Sequence, residues 1–237
     1  MNNQNNKNNE KNWYSTVTNE CLSYPIPVDV KVCLDVGCNV GGFVTAWKDH
    51  IEKFYCVDAG SSNVSEMKHN TKDFENEITI IHKAVHGNSN EKLSLRPYLV
   101  DNQTPTNSGS YGTTEFVRDN GHGWRTDTCA DFEVVDTISL EDLLTDAKKQ
   151  MNVSEIDLMK VDIEGAEYDF LMNKDLSSVK YIVMEFHNFL SEMESEIDGK
   201  NRSEALHDHI SKTHIMQINR GNGIDTHFVR LYERREK

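Results

Sequence analysis

The stretch that decides the fold, residues 30–43, reads VKVCLDVGCNVGGF. Its first half, residues 30–36, is mostly apolar and predicts a strand buried within a parallel sheet. Glycine follows directly, and apolar residues then recur at the spacing of an amphipathic helix, at Val40, Val44, Trp47 and Ile51. A buried strand that turns through glycines into a helix is typical of the start of an α/β fold.

The chain continues this alternation of strands and helices on both sides of a polar insertion. Further strands are predicted over residues 54–57, 78–85, 132–137, 156–163 and 181–186. Two of the helices have predicted caps, Asn63 with Glu66 three residues later, and Ser139. Residues 214–218 and 227–232 flank a glycine-containing turn and predict an antiparallel hairpin. We expect an α/β domain over residues 13–237, with a Rossmann-like seven-stranded sheet and a C-terminal antiparallel hairpin.

Composition and charge argue against several classes of partner. The chain has 237 residues, with 25 Lys and Arg against 39 Asp and Glu, and a formal charge of −14. Binding to nucleic acid or to anionic lipid depends on clustered basic residues, so neither partner is expected. The Asn-rich residues 1–12 predict a disordered tail. The sequence has no apolar run of membrane-spanning length and no apolar signal core. We interpret its five cysteines as reduced thiols and therefore expect a cytoplasmic protein.

The glycine turn, residues 35–43, predicts a ligand site at the carboxyl end of the sheet. Glycines let the backbone turn tightly and approach a ligand closely. The turn reads GCNVGG, which departs from the GxGxxG pattern of a dinucleotide site, and the acid before it suits a positively charged ligand. The candidate binding residues are Asp35, Gly37, Cys38, Asn39 and Gly41. The alternative is a tight strand–helix turn that binds nothing.

Asp58 supports the interpretation of the turn as a ligand site. It directly follows the second strand, about twenty residues after the glycines, where a carboxylate can accept hydrogen bonds from both hydroxyls of a ribose. A solvated loop aspartate is the alternative. Ala84, in the predicted third strand, completes the candidate ligand-binding set.

Two motifs resemble those of the FkbM family of methyltransferases. The first is DVGCNVGGF at residues 35–43, and the second is IDLMKVDIEGAE at residues 156–167. Residues 136–144 (DTISLEDLL) and 185–187 (EFH) also fit the family pattern, so the likeness extends roughly over residues 30–190. Two departures concern the cofactor site: Asp58 stands where the family commonly has a glutamate, and Cys38 replaces the usual alanine.

The resemblance implies a methyltransferase sheet, S-adenosylmethionine as methyl donor, and a hydroxyl acceptor on a sugar or related small metabolite. On this basis we expect an enzyme whose partner is a small-molecule or glycan hydroxyl. Two alternatives stay open. The first is a methyltransferase-like binding subunit without activity, and the second is a nicotinamide-dependent oxidoreductase.

Acidic residues and a histidine follow two predicted strands that we expect to be neighbours. Asp162 and Glu164 follow one strand, and Glu185 and His187 end the other. The catalytic candidates are Asp162, Glu164 and His187, with His187 as general base because histidine titrates near neutral pH. Alternatively, Asp162, Glu185 and His187 hold a divalent metal such as Mg or Mn that acidifies the acceptor hydroxyl. A third possibility is that these side chains only cap a helix or hydrogen-bond to loops.

Residues 101–131 are rich in Asn, Ser, Thr and Gly and show no apolar periodicity. Loops of this length inside a compact domain are usually functional or disordered. We expect a lid or wall over the active site, with Ser108, Ser110, Tyr111 and Trp124 as candidate contacts, or else a disordered surface insertion.

Overall fold

The computed structural model describes residues 14–97, 99–100, 104–105, 111–113, 133–163, 166–187, 202–221 and 227–236. The predicted tail at residues 1–12 and most of the 101–131 insertion therefore lie outside the described residues. Within the described part of the chain, none of the helices combines the length and the apolar character that crossing a lipid bilayer requires.

In the described residues, the main sheet contains seven strands: β1 Val32–Val36, β2 Lys53–Asp58, β3 Glu77–His82, β10 Ile156–Val161, β11 Val179–His187, β12 His214–Gly221 and β13 His227–Arg234. Their order in the sheet is β12-β13-β11-β10-β1-β2-β3. The five strands from β11 to β3 are parallel. Strand β13 is antiparallel to both β11 and β12. This arrangement confirms the predicted seven-stranded sheet with its C-terminal hairpin.

Helices cover both faces of this sheet. They are α1 (14–21), α2 (Gly42–Trp47), α3 (Ser61–Thr71), α4 (Leu140–Met151), α5 (Glu167–Leu171) and α6 (Arg202–Ile210). Side chains of β1 alternate between two cores: Leu34 packs with the residues of α4, α5 and α6, whereas Cys33 packs with those of α1, α2 and α3. Both faces of the strand are thus buried, which explains its nearly continuous apolar sequence.

Helix α4 begins as predicted. The Ser139 hydroxyl accepts a hydrogen bond from the Asp142 backbone amide at 3.3 Å, which satisfies one of the free amides of the first turn. The predicted cap of α3 is wrong. That helix starts at Ser61 with Gly60 in the cap position, and the Asn63 amide instead donates to the Asp58 carboxylate at 3.0 Å.

The predicted third strand, residues 78–85, is in fact two strands. β3 pairs with β2 and ends at His82, and β4 (Ala84–Val85) pairs with β9 (Glu133–Ile138). β9 continues into a smaller sheet of order β4-β9-β5-β8, with β5 at Lys92–Pro97 and β8 at Tyr111–Thr113. A separate pair joins β6 (Leu99–Val100) to β7 (Thr104–Pro105). An apolar run does not reveal a change of pairing partner, so the break was not visible in the sequence.

Candidate active site

The turn between β1 and α2 lies directly against the end of β10. Gly37 has a φ of +77°, and a Cβ at this position would stand 1.8 Å from the carbonyl oxygen of Asp162. The Gly37 amide donates to the carbonyl of Val57 at 2.9 Å, and the Asp162 amide donates to Val36 at 3.1 Å. These bonds join the turn to β2 and to the end of β10. Only glycine fits at position 37, because any side chain would overlap the Asp162 carbonyl.

The next residues connect the turn to β2. Asn39 has a φ of +49°, which asparagine tolerates better than most residues. Its amide donates to the Asp58 carboxylate at 2.8 Å. Gly41, with a φ of +89°, packs against α3: a Cβ there would lie 2.9 Å from Cγ of Met67. The missing side chain at Gly41 therefore allows the start of α2 to pack closely against α3.

Asp58 is a buried carboxylate held by three described donors. The amide of Asn39 binds Oδ2, while the amide of Gly60 and the side chain of Asn63 bind Oδ1 at 2.8 and 3.0 Å. Burial raises the pKa of Asp58, although these hydrogen bonds oppose the shift. A carboxylate has about four acceptor positions, so roughly one is left for a ligand rather than the two that a bidentate ribose contact requires.

A cleft lies at the carboxyl edge of the sheet, between the glycine turn and the smaller sheet. Four predicted cofactor residues line it, namely Gly37, Asn39, Asp58 and Ala84. The other lining residues are Val57, Ala59, Lys83, Val85, Leu93, Leu95, Asp162, Ile163 and Ala166. The cleft thus combines an apolar wall with carboxylates at the ends of β2 and β10.

The remaining predicted cofactor residues are placed away from the lining of this cleft. Asp35 is fully buried beneath the turn, Gly41 faces α3, and Cys38 is buried against the thiol of Cys56. Burial raises the pKa of Cys38 to about 11, so the thiol is protonated at neutral pH. Four cysteines in the described residues are free and buried, namely Cys21, Cys33, Cys38 and Cys56.

Lys160 lies beneath the glycine turn, and sequence reasoning assigned it no role. Its ammonium donates to the carbonyl of Gly37 at 2.7 Å and lies 3.3 Å from Asp35 Oδ1 and 3.5 Å from Asp162 Oδ2. Burial disfavours the charge, but the two carboxylates outweigh it and raise the pKa of Lys160 above its ordinary value. Lys160 therefore stays charged and links the turn to both acids. The sequence did contain one sign of this role, because a lysine within a buried strand needs a partner for its charge.

Strands β10 and β11 are neighbours, as expected, and Asp162 and Glu185 lie close together at their carboxyl ends. The strands pair in parallel, with Val161 beside Met184, so Asp162, directly after β10, lies level with Glu185 near the end of β11. The hydroxyl of Tyr24 lies between them, 2.9 Å from Glu185 Oε2 and 3.4 Å from Asp162 Oδ2. Sequence reasoning missed Tyr24, because nothing local connects it to residues so distant in the chain.

The other predicted catalytic and metal-binding groups are only partly described. The backbone of His187 ends β11, where it pairs with His227, but its side chain lies outside the described residues. Glu164 lies outside them altogether. Among the described residues, no group of three or more His, Cys, Asp or Glu side chains is suited to hold a metal ion. The metal role of Asp162, Glu185 and His187 thus stays a prediction without structural support.

The predicted lid is likewise mostly outside the described residues. Ser108, Ser110 and Trp124 fall there, and Tyr111 is described only as the backbone of β8, paired with Pro97. The lid therefore stays a prediction. The described strand beside it, β5, contributes Leu93 and Leu95 to the cleft wall.

The fold is Rossmann-like, and the cleft lies at the carboxyl edge of the parallel sheet, where proteins of this α/β class bind their ligands. The sequence profile described as Methyltransferase FkbM domain matches residues 35–218. The chain therefore belongs to the FkbM methyltransferase family, as its motifs predicted. None of the curated proteins compared with this chain is similar enough in sequence to count as a relative.

Solved structures with a similar fold have little sequence in common with this chain. A protein of the NADB-Rossmann superfamily from Streptococcus agalactiae has a TM-score of 0.50 at 10% identity, covering 92% of this chain and 67% of its own. TrmK of M. capricolum in complex with S-adenosylhomocysteine has a TM-score of 0.48 at 8% identity, and the match covers 92% of this chain and 67% of TrmK. Fibrillarin of Aeropyrum pernix with natively bound S-adenosylmethionine has a TM-score of 0.44 at 12% identity, and the match covers 92% of this chain and 73% of fibrillarin.

Proposed function

We propose that this protein transfers the methyl group of S-adenosylmethionine to a hydroxyl oxygen of a sugar or related small metabolite. The observation that carries the proposal is the position of Asp162. This residue lines the cleft and also lies 3.4 Å from the Tyr24 hydroxyl, which binds Glu185. One carboxylate therefore connects the cofactor cleft to a second acidic group on the neighbouring strand.

The residues of the cleft fit the proposed cofactor. Bound S-adenosylmethionine supplies an electrophilic methyl group on a positively charged sulfonium. The apolar wall, which includes Leu93 and Leu95, would hold an adenine ring, and Asp58 has about one acceptor position left for a ribose hydroxyl. Asp162 would supply negative charge near the amino and sulfonium groups.

The acceptor would bind at the acidic edge formed by β10 and β11. Methyl transfer is an in-line displacement, so the enzyme mainly has to align the acceptor oxygen with the methyl group. Asp162 and Glu185 can each accept a hydrogen bond from an acceptor hydroxyl and so fix its orientation. His187, at the end of β11, is proposed as the base that takes the hydroxyl proton.

The test is to incubate the 237-residue protein with S-adenosylmethionine and a panel of sugars and other hydroxyl compounds. We expect S-adenosylhomocysteine to form only in the presence of an acceptor. The product should be a methyl ether, which survives mild alkali, whereas a methyl ester would be hydrolysed. Cofactor binding without transfer to any acceptor would instead indicate a binding subunit.

Variants test the roles of the acidic edge. We expect Asp162→Asn to lower kcat by about 100-fold or more, the scale of a lost acid–base or orienting group. The matched control is Asp157→Asn at the other end of β10, where the side chain accepts from the backbone amides of Lys31 and Val32 at 2.9 Å. It should retain wild-type kcat.

His187→Ala and a chelator separate the base from the metal. The proposed base predicts a large loss of turnover in His187→Ala at nearly unchanged cofactor affinity, together with full activity in excess EDTA. Loss of activity in EDTA, restored by Mg or Mn, would assign the acceptor chemistry to a metal. Near-normal turnover of His187→Ala would eliminate the base.

Localisation and partners remain proposals as well. A cytoplasmic location is supported by the buried free thiols of the described residues, which are typical of a reducing compartment. That the protein binds neither nucleic acid nor membranes is supported by its formal charge of −14.

A further inference from the structure

Tyr24 enters the active site from a segment that precedes the family-matched region. The profile match begins at residue 35, whereas Tyr24 lies between α1 and β1. Its hydroxyl donates to Glu185 Oε2 at 2.9 Å, across 161 residues of sequence, and lies 3.4 Å from Asp162 Oδ2. This contact adds a residue from the connection between α1 and β1 to the acidic edge formed by β10 and β11.

The ring of Tyr24 is held firmly in place. It is 6% exposed and packs edge-on against Phe43 of α2, with ring centroids 5.9 Å apart. An aromatic pair of this geometry restricts the ring and therefore the position of the hydroxyl.

The segment around Tyr24 is anchored on both sides. The indole of Trp47 donates to the carbonyl of Cys21 at 3.0 Å, and Arg220 of β12 donates to the carbonyl of Ser23 at 2.9 Å. In α1, Val17 packs so closely on Gly42 that a Cβ there would lie 2.6 Å from a Val17 methyl carbon. The hydroxyl position is thus set by contacts with α2 and with the hairpin.

The hydroxyl remains a donor throughout the physiological pH range. Burial, together with the neighbouring Asp162 and Glu185, raises the pKa of Tyr24 well above its ordinary value. A protonated phenol between two carboxylates can donate a hydrogen bond to one of them and partly offset their mutual repulsion.

We infer that Tyr24 is a positioning residue for methyl transfer: its hydroxyl holds Glu185 beside Asp162 so that the two carboxylates can orient the acceptor hydroxyl. The inference rests on the proposed function, because the two acids are its acceptor-orienting groups. Tyr24 itself acts through Glu185 and Asp162 and is not assigned a contact with the reacting atoms.

The experiment compares Tyr24→Phe with wild type in steady-state methyl transfer. Phenylalanine keeps the ring and its packing but removes the hydroxyl. We expect kcat to fall by about 10-fold, the loss for one charge-assisted hydrogen bond, while affinity for S-adenosylhomocysteine changes less than about twofold. Tyr181→Phe is the matched control, since its hydroxyl also approaches a carboxylate, Asp29 at 3.4 Å, but at the amino end of β11.

A double-substitution cycle shows whether Tyr24 acts through Glu185. In a Glu185→Gln background, Tyr24→Phe should reduce kcat by less than about threefold, because the charged acceptor of the shorter hydrogen bond is already gone and only the longer contact with Asp162 remains. An undiminished 10-fold loss there overturns the inference. So does a wild-type kcat in Tyr24→Phe alone, or a loss that arises only from weaker cofactor binding.

The inference can fail separately from the proposed function. If the wild-type protein methylates no hydroxyl compound, the proposed function fails. The coupling between Tyr24 and Glu185 is then measured from the melting temperatures of the same four proteins. Coupling predicts that Tyr24→Phe lowers the melting temperature of wild type more than that of Glu185→Gln. Equal shifts in the two backgrounds would overturn the Tyr24–Glu185 linkage.

Discussion

Gly37 and Asp162 pack so closely that any side chain at position 37 is excluded, because a Cβ would stand 1.8 Å from the Asp162 carbonyl oxygen. The contact joins the turn after β1 to the end of β10, and both residues line the cleft. This contact therefore holds the backbone of the glycine turn against the backbone of Asp162.

We expect Gly37→Ala to destabilise the protein by more than about 2 kcal/mol, from the positive φ and the clash with β10 together. Urea denaturation measures the change. Gly87→Ala is the control, since a Cβ there would meet the Asp169 carbonyl at 3.4 Å, an ordinary contact. It should shift stability by less than about 1 kcal/mol. Equal urea midpoints for Gly37→Ala and wild type would contradict the close contact.

Lys160→Met should cost about 3–5 kcal/mol of folding free energy, because it leaves the carboxylate of Asp35 buried without its cation. Adding Asp35→Asn should recover part of that loss, since the uncompensated charge is then removed. Lys31→Met is the control: its ion pair with Glu52 at 3.2 Å lies on the surface and is worth about 0–1 kcal/mol. Failure of Asp35→Asn to rescue Lys160→Met would argue against the ion pair.

Asp58→Ala should weaken binding of S-adenosylhomocysteine by at least about 10-fold, the loss for one hydrogen bond to a charged acceptor. Calorimetry measures the affinity. The substitution also removes the acceptor for the Asn39 amide, so thermal unfolding is recorded on the same samples. Asp49→Ala, at an exposed acid paired with Lys48, serves as control and should leave affinity unchanged. Unchanged affinity in Asp58→Ala would remove this residue from the cofactor site.

The buried His214 should make the protein less stable in mild acid. Its ring contacts the Val179 carbonyl at 3.1 Å and the Thr213 hydroxyl at 2.8 Å, and burial lowers its pKa below the ordinary 6.5. Between these two values the unfolded state binds more protons than the folded state. The contribution of His214 is therefore fully present above pH 6.5 and is lost as the pH falls through the folded value.

Melting temperatures at pH 7.5 and 5.5 measure this effect, and His214→Gln should show a smaller drop than wild type. Part of the pH dependence of the melting temperature will remain in His214→Gln, because burial also lowers the pKa of His207. The raised pKa values of Asp35 and Asp58 act in the opposite direction, since their folded forms hold protons more strongly. A pH dependence in His214→Gln equal to that of wild type would exclude His214 as its source.

The sequence by itself determined the class of the fold and the family. The buried strand, the glycine turn and the helix at residues 30–47 follow from periodicity and glycine conformation, which are local properties of the chain. The motif at residues 156–167 identified the family and correctly placed Asp162 at the end of a central strand. The pairing of β10 with β11, and hence the proximity of Asp162 to Glu185, followed from the order of strands.

Only the tertiary structure decided which side chains meet at the site. Tyr24 lies 138 residues from Asp162 in the chain, and Lys160 lies 123 residues from Gly37, so no local pattern predicts either contact. The same holds for β4, which pairs with β9, more than forty residues later in the chain, and so belongs to the smaller sheet. Asp58 was expected to be open to a ribose, but folding surrounds it with the amides of Asn39 and Gly60 and the side chain of Asn63. Hydrogen bonds and ion pairs of this kind form between residues that only the folded chain brings together, because a buried charge or donor takes whichever partner the packing supplies.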